Sequence, residues 1–80
     1  MNKKKIEDFK IGGNMDNKIG IKIKELRINK ELTQTELGLL LKVKKQTISK
    51  WELGINIPSI YDLITLSDIF QCSIDYIVKE

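Results

Sequence analysis

The stretch from Thr33 to Gly54, TQTELGLLLKVKKQTISKWELG, decides the fold. It reads as two short helices joined by a tight turn. Leu37 and Leu41 lie four apart on the first, Val43 falls in the turn, and Ile48 and Trp51 lie three apart on the second. Helical neighbours are three and four residues apart, so each helix carries one apolar stripe. Gly38 supplies the small residue needed where two helices cross closely. Thr33 with Glu36 forms the T-x-x-E pattern of a capping box, which starts the first helix.

The polar remainder points to chemistry. Lys44, Lys45, Gln46, Thr47, Ser49 and Lys50 face outward, and from Lys42 to Lys50 there are four lysines and no acid. A purely solubilising face mixes both signs of charge. Glutamine pairs bidentately with adenine, and lysine reads guanine. The second helix is therefore expected to lie in the major groove of duplex DNA, its N-terminal residues meeting the bases first. The alternative is the solvated face of a small bundle, against which the turn pattern counts. Lys44, Thr47 and Ser49, shorter or set at the edge, suit phosphate. Lysine is a flexible point charge rather than a fork, so Lys45 and Lys50 suit either base or phosphate, and Gln46 is the surest base reader.

Outward from this segment the pattern is helical throughout. A helix is expected from about Asn17 to Lys30, with Ile19, Ile23, Leu26 and the stem of Lys30 on one stripe. The helix beginning near Thr33 places Gln34 at its N-terminus, where free N–H groups and the helix dipole favour phosphate. The next runs from about Lys45 to Leu53, and Gly54 suits the left-handed position that ends it. Ser59 and Asp62 cap a fourth helix, in which Ile60, Leu63, Ile64, Leu66, Ile69 and Phe70 are expected to close the core. Asn56, in the preceding loop, is a candidate phosphate contact. Ser73 caps a short fifth helix. Ile74, Tyr76 and Ile77 there form either a dimer seam or ordinary core, and both readings stand. The fold class is thus all-α, a compact five-helix bundle.

Composition sets the bounds. Eighty residues, 41% apolar and 31% charged, make one small globular domain. The longest apolar run is far too short to span a membrane, and no signal peptide is present, so a cytoplasmic, nucleoid-associated protein is expected. One cysteine and no histidine exclude an internal disulfide and metal sites of the His/Cys type. Cys72 reads as a small buried apolar residue in preference to a redox sensor. No cofactor is implied. The net charge of +3 is modest; its distribution is more telling. Residues 18–30 and 42–50 each carry +4, and residues 51–80 carry −4. Folding would gather the basic segments on one side.

Residues 1–17, MNKKKIEDFKIGGNMDN, contain a Gly12-Gly13 break and lack a sustained period. They read as a flexible arm able to reach a minor groove. Equally, the Gly12-Gly13 pair reads as a translated ribosome-binding site, which would make Met15 the natural start. The domain proper is residues 18–80. Since the chain ends soon after the fifth helix, neither a sensor nor a large dimerisation domain is expected, and control would come from concentration, a partner or operator competition.

The ordered set IKELR (23–27), LTQTEL (32–37), Gly38, V-x-x-x-T-I-S-K-W-E (43–52), Gly54, PS (58–59) and L-x-x-L-x-x-I-F-x-C-S-I-D-Y-I (63–77) resembles the phage lambda repressor and Cro type of helix-turn-helix domain. The resemblance covers Ile19 to Ile77. It implies that Lys45, Gln46 and Lys50 occupy the base-reading positions. It further implies that Gln34 contacts the DNA backbone and buttresses the recognition helix, and that Arg27 and Glu52 form a partly buried ion pair. Two departures stand out: Lys42 and Gln71 replace glycines common in the family, where the backbone can need a left-handed conformation. Cys72 replaces a usual valine.

Enzyme chemistry finds no support: there is no phosphate-binding glycine loop and no nucleophile paired with a histidine base. The expected function is a sequence-specific, double-stranded DNA-binding transcriptional regulator, a repressor that binds an inverted repeat as a homodimer. The rival is a protein-interaction module of the same fold, such as an antitoxin or regulator-binding subunit, that keeps a protein partner and little specific DNA binding.

Overall fold

A computed structural model describes the backbone of residues 13–79 and the side chains from Lys18 onward. Five helices follow in order: α1 (Gly13–Asn29), α2 (Gln34–Leu41), α3 (Lys45–Leu53), α4 (Ile60–Phe70) and α5 (Ile74–Lys79). No strand occurs among the described residues. The bundle is the expected one, with one change of boundary. α1 begins at Gly13, inside the segment read as an arm, because adding a residue to a formed helix needs one hydrogen bond and no apolar stripe. Residues 1–12 of that segment lie outside the described residues.

Local chemistry sets the helix ends. The Thr33 hydroxyl accepts from the Glu36 amide at 3.0 Å, and the Glu36 carboxylate accepts from the Thr33 amide at 2.8 Å. Ser59 and Asp62 repeat this reciprocal arrangement at the start of α4. The Ser73 hydroxyl accepts from the Tyr76 amide at 3.0 Å and starts α5. At the other ends, α1 to α4 each stop in a left-handed residue followed by a six-to-one hydrogen bond back into the helix. Leu32 N donates to Arg27 O, Val43 N to Gly38 O, Ile55 N to Lys50 O, and Cys72 N to Ser67 O. This is the Schellman stop, which is ordinarily a glycine position. Only Gly54 is glycine here. Glu31, Lys42 and Gln71 take φ of 60°, 61° and 54°. The left-handed backbone expected at Lys42 and Gln71 is present, and Glu31 adds a third.

Ile23, Leu37, Ile48, Trp51, Leu63, Leu66, Phe70 and Ile77 make the core. α1 packs chiefly on α3 and also on α5, α2 packs on α3 and α4, and α4 packs on α5. Each fully buried aliphatic side chain contributes about 1.5–3 kcal/mol of transfer free energy. Three expectations need correction. Lys30 is exposed, and the α1 stripe continues through Arg27 instead. Ile60 and Ile64 are 54% and 45% exposed, because α4 turns its Leu63, Leu66 and Phe70 face inward. The close helix crossing belongs to Gly20: a Cβ there would collide with the Trp51 carbonyl oxygen and stand 2.9 Å from that of Glu52, so α1 rests on the α3 backbone. Gly38 approaches the turn, where a Cβ would lie 2.7 Å from the Val43 carbonyl oxygen.

Candidate nucleic-acid interface

α3 is seated by its inner face. Ile48, Trp51 and Glu52 are buried, which leaves Lys45, Gln46 and Lys50 exposed and Thr47 and Ser49 half-buried at the margins. Lys44 is exposed just before the helix, and Asn56 is exposed in the loop just after it. Residues 45, 46, 49 and 50 share one helical face. The basic and amide side chains singled out in the sequence are therefore gathered on a single outward surface.

The start of α3 differs from the starts of its neighbours. Its N-cap is Lys44, whose side chain makes no capping hydrogen bond, and no acid occupies the first turn. In α2 and α4, by contrast, an oxygen side chain and a first-turn carboxylate meet the helix dipole. The uncapped N–H groups of α3 and three neighbouring lysines concentrate positive potential at this end. A polyanion fits that end; a cation does not.

A buried polar network holds α3 in place. Arg27 Nε donates to Glu52 Oε2 at 2.6 Å, and Nη2 donates to Oε1 at 3.1 Å. Arg27 Nη1 donates to the Leu32 carbonyl oxygen at 2.9 Å. Gln34 Nε2 donates to Glu52 Oε1 at 3.0 Å. One carboxylate thus ties α3 to α1 and to the first residue of α2, and the guanidinium ties both to the α1–α2 turn. No buried side-chain nitrogen or oxygen among the described residues lacks a partner. Such a network is stabilising only when fully satisfied, and it then defines one arrangement of the helices it joins. Gln34 takes the buttressing position, and the residue as a whole is half-buried.

The residues of α5 separate. Ile77 is 1% exposed and belongs to the core, Ile74 is half-buried against it, and Tyr76 is 49% exposed. The Lys22 ammonium sits 4.2 Å from the centre of the Tyr76 ring, so a cation already covers one face of that ring. Cys72 is half-buried. Burial pushes its thiol above the usual range, and the positive charge of Lys22 opposes the shift. No group of three potential metal-binding side chains occurs among the described residues, and no helix there is long and apolar enough to cross a membrane.

Sequence reading missed Gly20 and Glu31. Glycine between two isoleucines inside a helical pattern is a signal of close backbone approach, and it marks Gly20. Nothing comparable marks Glu31.

A helix-turn-helix family profile matches residues 23–77. The transcriptional activator BcrR of Enterococcus faecalis is 39% identical over 58 residues, covering 72% of this chain and 28% of that protein. The transcriptional regulator DicA of Escherichia coli is 37% identical over 60 residues, 75% of this chain and 44% of that one. The C2 repressor of Salmonella phage P22 is 34% identical over 61 residues, 76% of this chain and 28% of that one. The chain therefore spans less than half the length of these curated relatives. Among solved structures, P22 c2 repressor in complex with a synthetic operator superposes with a TM-score of 0.73 at 34% identity, covering 76% of this chain and 92% of that one. The restriction-modification controller protein C.AhdI of Aeromonas hydrophila superposes at 0.74 and 22% identity, covering 81% and 94%, and shares the fold. With the uncapped basic α3, its buried Arg27–Glu52 anchor and this match over most of the bundle, the chain belongs to the helix-turn-helix family of the lambda repressor and Cro type.

Proposed function

We propose that this chain is a sequence-specific double-stranded DNA-binding transcriptional regulator that acts as a repressor, placing α3 in the major groove. The observation that carries the proposal is the α3 surface itself: Lys45, Gln46 and Lys50 exposed on one face of a helix whose N-terminus carries no acid. Lys45, Gln46 and Lys50 contact bases, with Gln46 the discriminating reader. Gln34, Lys44, Thr47, Ser49 and Asn56 contact phosphates around it. The similarity to the P22 c2 repressor, solved on an operator, supports this reading. The domain comprises residues 18–80 together with the first turn of α1 from Gly13, and it works in the cytoplasm.

Repression follows from occupancy. A homodimer on an inverted repeat, with half-sites about one helical turn apart, covers one face of the duplex and excludes polymerase from an overlapping promoter. Affinity comes mainly from lysine–phosphate contacts and falls with salt, whereas selectivity comes from the few groups that reach base edges. Selection of binding sites from random duplex DNA at two salt concentrations tests the proposal. A palindromic consensus with a steep salt slope is the expected result. Weak, sequence-blind binding that fades with salt would overturn it.

A further inference from the structure

Leu53 is the exception on the outer surface of α3. The other apolar side chains of this helix, Ile48 and Trp51, are buried, whereas Leu53 is 65% exposed. It follows Ser49 by four residues, Lys50 by three and Gln46 by seven, so it lies on their face of the helix. At about 100° per residue its angle around the axis is within about 20° of that of Gln46. Leu53 thus stands near the middle of the surface assigned to base reading. A single exposed leucine is ordinary on a protein. This one is flanked, on its own face, by the side chains that approach DNA.

We infer that Leu53 is a specificity-determining residue that packs on the C5-methyl group of a thymine. Its side chain neither donates nor accepts a hydrogen bond. Pressed against the edge of guanine, adenine or cytosine, it would shut a donor or acceptor away from water without replacing the lost bond, which is costly. Thymine is the base that presents a methyl group in the major groove, and apolar side chains read it by contact. Burial of one methyl group corresponds to about fourfold in affinity. The geometry also says where that thymine lies. Along α3 the rise from Gln46 to Leu53 is about 10.5 Å, or about three base pairs at 3.4 Å each. The thymine therefore sits about three base pairs from the adenine read by Gln46, toward the C-terminal end of α3. Selectivity then has two chemically distinct parts, an amide that hydrogen-bonds and a leucine that excludes water.

The inference rests on the DNA-reading role proposed for α3, and its test separates the two. Duplexes carrying the selected consensus are compared with duplexes in which deoxyuridine replaces one thymine at a time, which deletes the methyl group and nothing else. Fluorescence anisotropy measures the binding of the full chain and of Leu53→Ala, with circular dichroism confirming the fold of both. For wild type, one such replacement in a half-site should weaken binding by about fourfold. Leu53→Ala should bind that duplex and its thymine parent equally well. Wild type that binds every deoxyuridine duplex as tightly as the parent overturns the inference and leaves the proposed function standing. So does a Leu53→Ala chain that binds both duplexes more weakly but keeps the full penalty, because the leucine then serves the fold or a protein contact. A wild-type chain that selects no consensus removes the proposed function, and this inference with it.

Discussion

Arg27 and Glu52, twenty-five residues apart in sequence, meet through two hydrogen bonds of 2.6 and 3.1 Å inside the bundle. Their side chains retain only 11% and 4% of their exposure. The pair fastens the recognition helix to α1, so its loss acts on position as well as on stability. Removing one partner leaves a buried charge alone and costs about 3–5 kcal/mol. Arg27→Met should therefore lower the urea midpoint sharply. Replacing both residues by Met should recover much of that loss, since no unpaired charge remains. The doubly substituted chain should still bind DNA less selectively, because Gln34 then has no carboxylate to brace against. Equal stability of wild type and Arg27→Met would show that the pair contributes nothing.

Gly20 makes a sharper demand. Its missing Cβ lets α1 lie on the Trp51 and Glu52 carbonyls, and backbone on both sides leaves no flexible atom to yield. In an open helix Gly→Ala stabilises by about 1 kcal/mol. Here Gly20→Ala should reverse the sign and destabilise by about 2 kcal/mol or more, the cost of overpacking. A thermal melt at or above that of wild type would contradict the crossing.

The three non-glycine helix stops predict gains. Glu31, Lys42 and Gln71 hold a left-handed backbone that costs an L-residue about 1–2 kcal/mol, part of which glycine gives back in unfolded-state entropy. Lys42→Gly, Gln71→Gly and Glu31→Gly should each stabilise by roughly 0.5–1 kcal/mol. In a domain of this size about 1 kcal/mol raises Tm by about 4–8 °C. The stops lie in three separate inter-helix turns, so the triple variant should gain more than any single one. A triple variant melting no higher than wild type would refute the strain.

These same positions show what sequence carries and what it does not. Helix starts were legible because Thr33–Glu36, Ser59–Asp62 and Ser73 act locally, through side chains that bond to nearby amides. The αL stops at Lys42 and Gln71 were legible only against the family's glycines, since nothing intrinsic to lysine or glutamine signals them. Ile60 and Ile64 were misplaced in the core because α4 is apolar on more than one face, and periodicity alone does not say which face is covered. Gly38 was credited with a helix crossing that Gly20 makes, because closeness in sequence is no guide to which backbones approach. The α3 surface was legible, since its lysines and glutamine stand out by composition. Its anchor at Gln34 became specific only when the side chains were placed.

Cys72 offers a test by pH. Burial holds its thiol protonated beyond the usual range, against the opposing charge of Lys22. A folded-state pKa above the unfolded one leaves stability intact below the unfolded thiol value, about 8.5. Stability then declines as pH rises toward the folded value. Alkylation by iodoacetamide at pH 8 should be slower for the folded chain than for the urea-unfolded chain. Lys22→Ala should slow it further by removing the charge that favours thiolate. Faster alkylation in the folded state would show an activated thiol instead.

At the DNA face the decisive comparison is between Gln46 and Lys44. An amide that reads a base edge loses about 1–3 kcal/mol of discrimination when truncated, and non-specific binding is untouched because no counterion was displaced. Gln46→Ala should accordingly bind the selected consensus more weakly and random duplex equally well. A phosphate lysine behaves in the opposite way. Lys44→Ala should weaken both DNAs alike and reduce the magnitude of the salt slope by about 0.9, the value for one released counterion. Titrations of both duplexes by fluorescence anisotropy across a salt series separate the two roles. If Gln46→Ala lowers both affinities equally, the amide contacts the backbone, and base reading must lie with Lys45 and Lys50, which share its exposed face of α3.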